Sequence, residues 1–158
     1  MITRWLFQIG VVMLLLFPFS VSAIEWAKFY GGSATWSIQQ TADGGYIAAG
    51  SNILAYDPDA LVMKLDSSGN IDWQKTYGDP WGAWDRARSI GQTADGGYIV
   101  AGYFGPYLWV LKLDSSGNID WQKSYGVIGS PYTYEARSIG QTADGGYIVA
   151  GDTLDIGY

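Results

Sequence analysis

Apolar residues are laid out in two ways along this chain. In Tyr98-Ile99-Val100-Ala101 and Leu108-Trp109-Val110-Leu111 they run unbroken. From Asn118 to Tyr125 they alternate, with Ile119, Trp121 and Tyr125 on one side, Asp120, Gln122 and Ser124 on the other, and Lys123 interrupting the apolar set. Short unbroken runs suit strands covered on both faces, and alternation suits a strand with one face in water. With Ala87 to Thr93 in front, these pieces predict four consecutive strands. Ala94-Asp95-Gly96-Gly97 separates the first two and Asp114-Ser115-Ser116-Gly117 the last two, each with the glycine that a tight hairpin needs for positive φ. The expected unit is a four-stranded antiparallel meander whose amphipathic outer strand is protected from edge pairing by Lys123.

The unit repeats. Gln40-Thr41-Ala42-Asp43-Gly44-Gly45-Tyr46-Ile47 returns at Gln92 to Ile99 and at Gln141 to Ile148, and Leu65 to Lys75 returns unchanged at Leu113 to Lys123. A weaker copy of the outer strand, Ile24 to Gly31, precedes them; Trp26, Trp73 and Trp121 are 47 and 48 residues apart. A period of about 48 residues holding four strands predicts an all-β fold, a β-propeller of four-stranded antiparallel blades. A parallel β-helix is the rival, but its coils have shorter repeats and fewer strict hairpins. The blade repeats fall at about 32–78, 79–126 and 127–158, the last partial, within a repeat region of 24–158. With the leading outer strand this makes about two and three-quarter blades, an incomplete ring, since closed propellers use about four to eight. Either the sequence is a fragment of a longer reading frame or copies self-associate to close a ring. The first is favoured, because an open array leaves apolar faces and a sheet edge uncovered.

The pattern Gln-Thr-Ala-Asp-Gly-Gly-Tyr-Ile-Val-Ala-Gly, a variable loop, then Leu-Lys-Leu-Asp-Ser-Ser-Gly-Asn-Ile-Asp-Trp-Gln-Lys-x-Tyr-Gly resembles a family of secreted bacterial and archaeal propeller-like repeat proteins, mostly of unknown function. It is similar, more distantly, to delta-60 repeats and to quinoprotein-like propellers. In the quinoprotein-like repeats a Gly and a Trp four residues later lock neighbouring blades by stacking the indole on the next blade. Gly69 with Trp73, and Gly117 with Trp121, keep that interval, so the resemblance implies a structural role for these four residues. No quinone-binding constellation is matched, and no cofactor is expected.

Residues 1–23 read as a signal peptide: Arg4 near the amino terminus, an apolar stretch from Val11 to Phe19, and Val21-Ser22-Ala23 as a small-x-small cleavage pattern. A membrane anchor is the alternative, but the apolar text of the leader is interrupted by Gln8, Gly10 and Pro18, and the stretch is short for a bilayer of about 30 Å. The expectation is therefore a secreted, periplasmic or cell-surface protein with no membrane association after cleavage. Removing Arg4 with the leader takes the formal charge from −6 to −7, which argues against nucleic acid or an anionic membrane as partner.

With no His and no Cys, the chain lacks the commonest general base, the thiol nucleophile, disulfides and the imidazole and thiolate metal ligands. No catalytic residue is assigned. Paired carboxylates such as Asp57 with Asp85, or Asp79 with Glu135, are the remaining hydrolytic option. No metal site is expected: Asp66-x-Ser68-x-Asn70-x-Asp72 resembles a calcium loop only faintly, with glycine at the fourth rather than the sixth position, and reads as a turn. The double glycines lead into strands, which rules out a phosphate cradle.

The two variable connections of each repeat open on one rim. They hold Trp81, Trp84, Tyr103, Tyr107, Tyr132 and Tyr134 beside Asp57 and Asp85, the candidate ligand-binding set. Aromatic planes stack on sugar C–H faces and carboxylates accept hydroxyl hydrogens, so a glycan at the cell surface is one expected partner. The plainer expectation is that these aromatics fill the gaps between blades, in a non-catalytic scaffold that binds protein partners.

Overall fold

The computed structural model describes residue 28 and residues 30–53, 58–78 and 84–155. The predicted leader, Trp26, Asp57, Asp79 and Trp81 lie outside the described residues.

Among the described residues ten strands follow one another: β1 (Ser33–Gln40), β2 (Tyr46–Asn52), β3 (Ala60–Leu65), β4 (Ile71–Tyr77), β5 (Asp85–Gln92), β6 (Tyr98–Phe104), β7 (Tyr107–Leu113), β8 (Ile119–Tyr125), β9 (Tyr132–Gln141) and β10 (Tyr147–Asp155). They form antiparallel sheets in the orders β1-β2-β3-β4, β5-β6-β7-β8 and β9-β10. Every neighbour in a sheet is a neighbour in sequence, which is the expected meander.

The expected strands differ from the observed ones at the variable connections: Asp85 and Arg86 open β5, and Tyr132 to Glu135, expected in a loop, belong to β9 and pair with Asp155 to Asp152. Tyr103 to Tyr107 reads as a variable loop in the sequence, yet β6 runs to Phe104 and pairs it with Tyr107. Only Gly105 and Pro106 turn the chain, Gly105 with φ of 54° and Pro106 with its ring-fixed φ.

The sheets stack face to face, and alternation along the second strands divides their side chains between two seams. Tyr98 and Val100 join Ile47, Ala49, Val62, Ile90, Trp109 and Leu111 between the first and second sheets. Their neighbours Ile99 and Ala101 join Val110, Ala136 and Ile139 between the second and third. Unbroken apolar runs are therefore strands serving two cores at once. The outer strand β4 is mostly exposed up to the buried Tyr77.

Side chains stitch the first strands of successive sheets together where backbone pairing ends. The Ile90 amide donates to Ser37 Oγ and the Ile139 amide to Ser89 Oγ, each at 3.2 Å. Gln39 Oε1 accepts from the Gln92 amide, Gln92 Oε1 from the Ala42 amide and Gln141 Oε1 from the Ala94 amide, at 2.8, 2.8 and 2.9 Å. An otherwise open sheet edge is thereby satisfied.

The constant turns carry their own ionic lock. Lys64 is buried, and its Nζ lies 2.9 Å from Asp43 Oδ2 and 3.6 Å from Asp72 Oδ2; Lys112 repeats this with Asp95 and Asp120 at 3.0 and 3.5 Å. Burial alone would lower the Lys64 ammonium, but the hydrogen bond and charge of Asp43 outweigh it and leave the group above its ordinary value. In the turn with alternating oxygen side chains, Asp66 Oδ1 accepts the amides of Ser68 and Asn70, both at 2.8 Å. That is hairpin chemistry, closed on the backbone.

Candidate functional site

Each sheet's first strand contains one β-bulge, at the same repeat position. The register shifts between Thr35 and Ser37, between Ala87 and Ser89, and opposite Ala150 and Gly151 between Ala136 and Ser138. The extra residue is Trp36, Arg88 or Arg137. A bulge bends its strand and re-aims the side chain it carries. The facing residue is glycine each time: a Cβ on Gly50, Gly102 or Gly151 would stand 1.9, 1.8 or 2.1 Å from the carbonyl oxygen of Ala34, Arg86 or Glu135.

The re-aimed side chains meet. The Arg88 guanidinium carbon is 4.7 Å from the centroid of the Trp36 ring and 5.7 Å from that of Tyr103. Arg86, two residues earlier on β5, lies 5.4 Å from Trp36, 5.2 Å from Trp84 and 5.8 Å from Tyr103. These are cation–π distances. On the other side Glu135 Oε2 stands 3.7 Å from Arg88 Nη2 and 3.0 Å from Arg137 Nη2. Arg137 then grips Asp152 with two hydrogen bonds of 3.0 and 3.1 Å. The result is a continuous line of aromatic, cation, carboxylate, cation and carboxylate across three sheets.

Its electrostatics follow from those contacts. The hydrogen bond from Arg137 holds the Asp152 carboxyl below its ordinary value, and the same bond raises Arg137. Burial pushes the Tyr103 phenol up, with the Arg86 charge opposing it. Hydrogen bonding is incomplete. The buried Nε atoms of Arg86 and Arg88 meet no acceptor among the described residues, whereas Glu135 Oε2 is held by its two ion pairs. Each buried polar group without an aligned partner costs about 1–3 kcal/mol. The two Nε groups fall together in one cluster, where native structures leave few such groups.

Of the residues that the sequence marks for a ligand, Trp84 and Tyr103 belong to this cluster. The Trp84 indole is 57% exposed and Trp36 39%, so both offer open ring surface. Tyr107 and Tyr134 instead meet over Gly126, where a Cβ would lie 2.7 and 3.0 Å from their rings. Tyr134 also shares a hydrogen bond of 3.2 Å with Ser130, and Tyr132 is exposed at the start of β9. Asp85 is fully buried, and its Oδ1 accepts the Gly105 amide at 3.0 Å, tying the β6–β7 turn to the start of β5. Asp57 and Trp81 lie outside the described residues.

Trp36, Arg86, Arg88, Arg137 and Asp152 are absent from the set that the sequence marks. One signal does lie in the sequence: every arginine after Arg4, namely Arg86, Arg88 and Arg137, falls in this cluster. The buried lysines serve the constant turns instead.

No family model matches the chain, and no curated protein matches it. Among solved structures the chain is similar to a protein of unknown function from Bacteroides caccae, with a TM-score of 0.50 and 11% identity over 78% of this chain and 40% of that one. The chain thus spans less than half the length of that structure. At this identity the likeness concerns the fold alone.

Proposed function

We propose that the chain supplies blades of a β-propeller and works outside the cell as a non-catalytic recognition module whose ligand sits on the arginine and aromatic cluster. Two features support the propeller. The repeated four-stranded meander has a propeller blade's period, and the first strands β1, β5 and β9 are stitched side by side as blades are around an axis. Export rests on the leader-like first 23 residues, and kinship with secreted repeat proteins rests on the repeat text.

The observation that carries the recognition reading is the recurrent bulge. It brings Trp36, Arg88 and Arg137 into one cluster with exposed indole and incompletely bonded guanidinium groups. Catalysis has little support. The chain has no His and no Cys, and Asp152 is held ionised by Arg137, which makes it a poor proton donor. Glycan binding is the second reading, favoured by the open Trp84 indole beside Arg86.

An array of glycans and extracellular proteins, probed with the full chain and with Trp84→Ala and Trp36→Ala, tests this. At least one ligand should bind, and either substitution should weaken it about tenfold. Binding indifferent to both substitutions, or reducing sugar released from a bound saccharide, overturns the reading.

A further inference from the structure

Resting on the recognition reading above, we propose that the cluster takes a glycan bearing carboxylates, of the uronic-acid type: Arg86 and Arg88 receive the carboxylate, and Trp84 stacks on the sugar ring. The argument begins with how unevenly charge is neutralised along the cluster. At one end Arg137 is saturated by Glu135 and Asp152. In the middle Arg88 has, among the described residues, one carboxylate oxygen, that of Glu135 at 3.7 Å. At the other end Arg86 has three aromatic rings around it and, among the described residues, no carboxylate. Asp85, its neighbour in sequence, is turned to the Gly105 amide.

Positive charge is therefore left over at the aromatic end, in a protein whose net charge is −6. A guanidinium fork matches a planar carboxylate in two parallel hydrogen bonds, and the rings already hold the Arg86 fork in place. The exposed Trp84 indole beside it supplies a flat face for sugar C–H groups. The Asp and Glu side chains of an acidic peptide satisfy the arginines but carry no ring to lay on Trp84.

The test is equilibrium binding of the full chain, followed by tryptophan fluorescence and calorimetry, to oligogalacturonate, its methyl ester, a neutral cello-oligosaccharide and poly-glutamate. Oligogalacturonate should bind saturably and more weakly as salt rises; methyl esterification should weaken it about tenfold or more. Arg86→Gln should produce the same loss and abolish the preference for acid over ester, and Trp84→Ala should weaken both forms. Arg86→Gln is checked for a native near-ultraviolet circular dichroism spectrum; if it fails to fold, the acid-to-ester comparison decides, since it needs no variant. Equal binding of acid, ester and neutral sugar, dependent on Trp84, overturns the acidic ligand while leaving the recognition reading intact. Tighter binding of poly-glutamate than of oligogalacturonate overturns the glycan. Binding of none of the four probes overturns this proposal, and the array above then decides the broader reading separately.

Discussion

The Trp73 indole lies over Gly117 so closely that a Cβ built there would come within 2.8 Å of two ring carbons. This contact joins the outer strand of one sheet to the constant turn of the next, and the same indole meets Tyr98 edge-on at 5.9 Å. Gly117→Ala must therefore suffer both the overlap and its φ of 76°. Gly96 has a similar φ of 83° with nothing near its Cβ direction, so Gly96→Ala isolates the backbone part. By urea unfolding, Gly96→Ala should cost about 1 kcal/mol and Gly117→Ala about 2–4 kcal/mol. Equal losses would mean that the indole is not where the structure puts it.

Tyr77 and Tyr125 hold the same place in successive repeats but not the same surroundings. Tyr77 is buried and its hydroxyl donates to the Gly117 carbonyl at 2.7 Å, whereas Tyr125 is 53% exposed. Tyr77→Phe leaves a buried carbonyl without its donor and should cost about 1 kcal/mol. Tyr125→Phe should fall within about 0.5 kcal/mol of the parent. A larger loss at Tyr125 than at Tyr77 would contradict the packing of the first two sheets.

The meander, its turns and its outer strand were legible because period-2 alternation, unbroken apolar runs and glycine turns each have one dominant cause. The glycine-to-tryptophan interval was legible as a motif, yet Trp73 rests on the glycine of the following repeat, Gly117, which chain spacing alone does not reveal. The ligand cluster was half legible. Trp84 and Tyr103 stood out as aromatics, but Asp85-Arg86-Ala87-Arg88-Ser89-Ile90 hides its bulge: the extra residue moves the buried set from Asp85 and Ala87 to Ile90, which breaks the alternation by which a strand is read and changes the direction of Arg88. The facing glycines, Gly50, Gly102 and Gly151, were the trace it left.

That relation makes Gly102 the lever on the site. A Cβ there would stand 1.8 Å from the Arg86 carbonyl oxygen, so Gly102→Ala must shift β5 or lose the bulge. The expected cost is about 3 kcal/mol, with loss of ligand binding even under conditions where the variant stays folded. Full binding by folded Gly102→Ala would show that the bulge does not set the site.

The turn carboxylates predict how acid affects stability. Hydrogen bonds from Thr93, Lys112 and the Gly97 amide, in that order, lower the Asp95 carboxyl from 3.8 to about 2, and Asp43 is lowered in the same way by Thr41, Lys64 and Gly45. Between those values the unfolded chain binds more protons than the folded one, so stability falls as pH falls. The contribution is complete above the unfolded value of 3.8 and disappears as pH passes down through about 2. Urea midpoints should decline across that window, and Asp43→Asn with Asp95→Asn should lower the curve near neutrality, where the contribution is complete, and flatten the decline below it. An unchanged slope in the double variant would remove the turns as its source.

Hydrogen–deuterium exchange of the full chain with and without oligogalacturonate tests the central claim most directly, since it reads where a ligand sits. Protection should concentrate on the bulged segments of β1, β5 and β9 around Trp36, Arg86 to Ser89 and Glu135 to Ser138. Protection confined to the constant turns or to the segment before β9, or no protection at saturating ligand, would contradict the assignment of the arginine and aromatic cluster as the binding site.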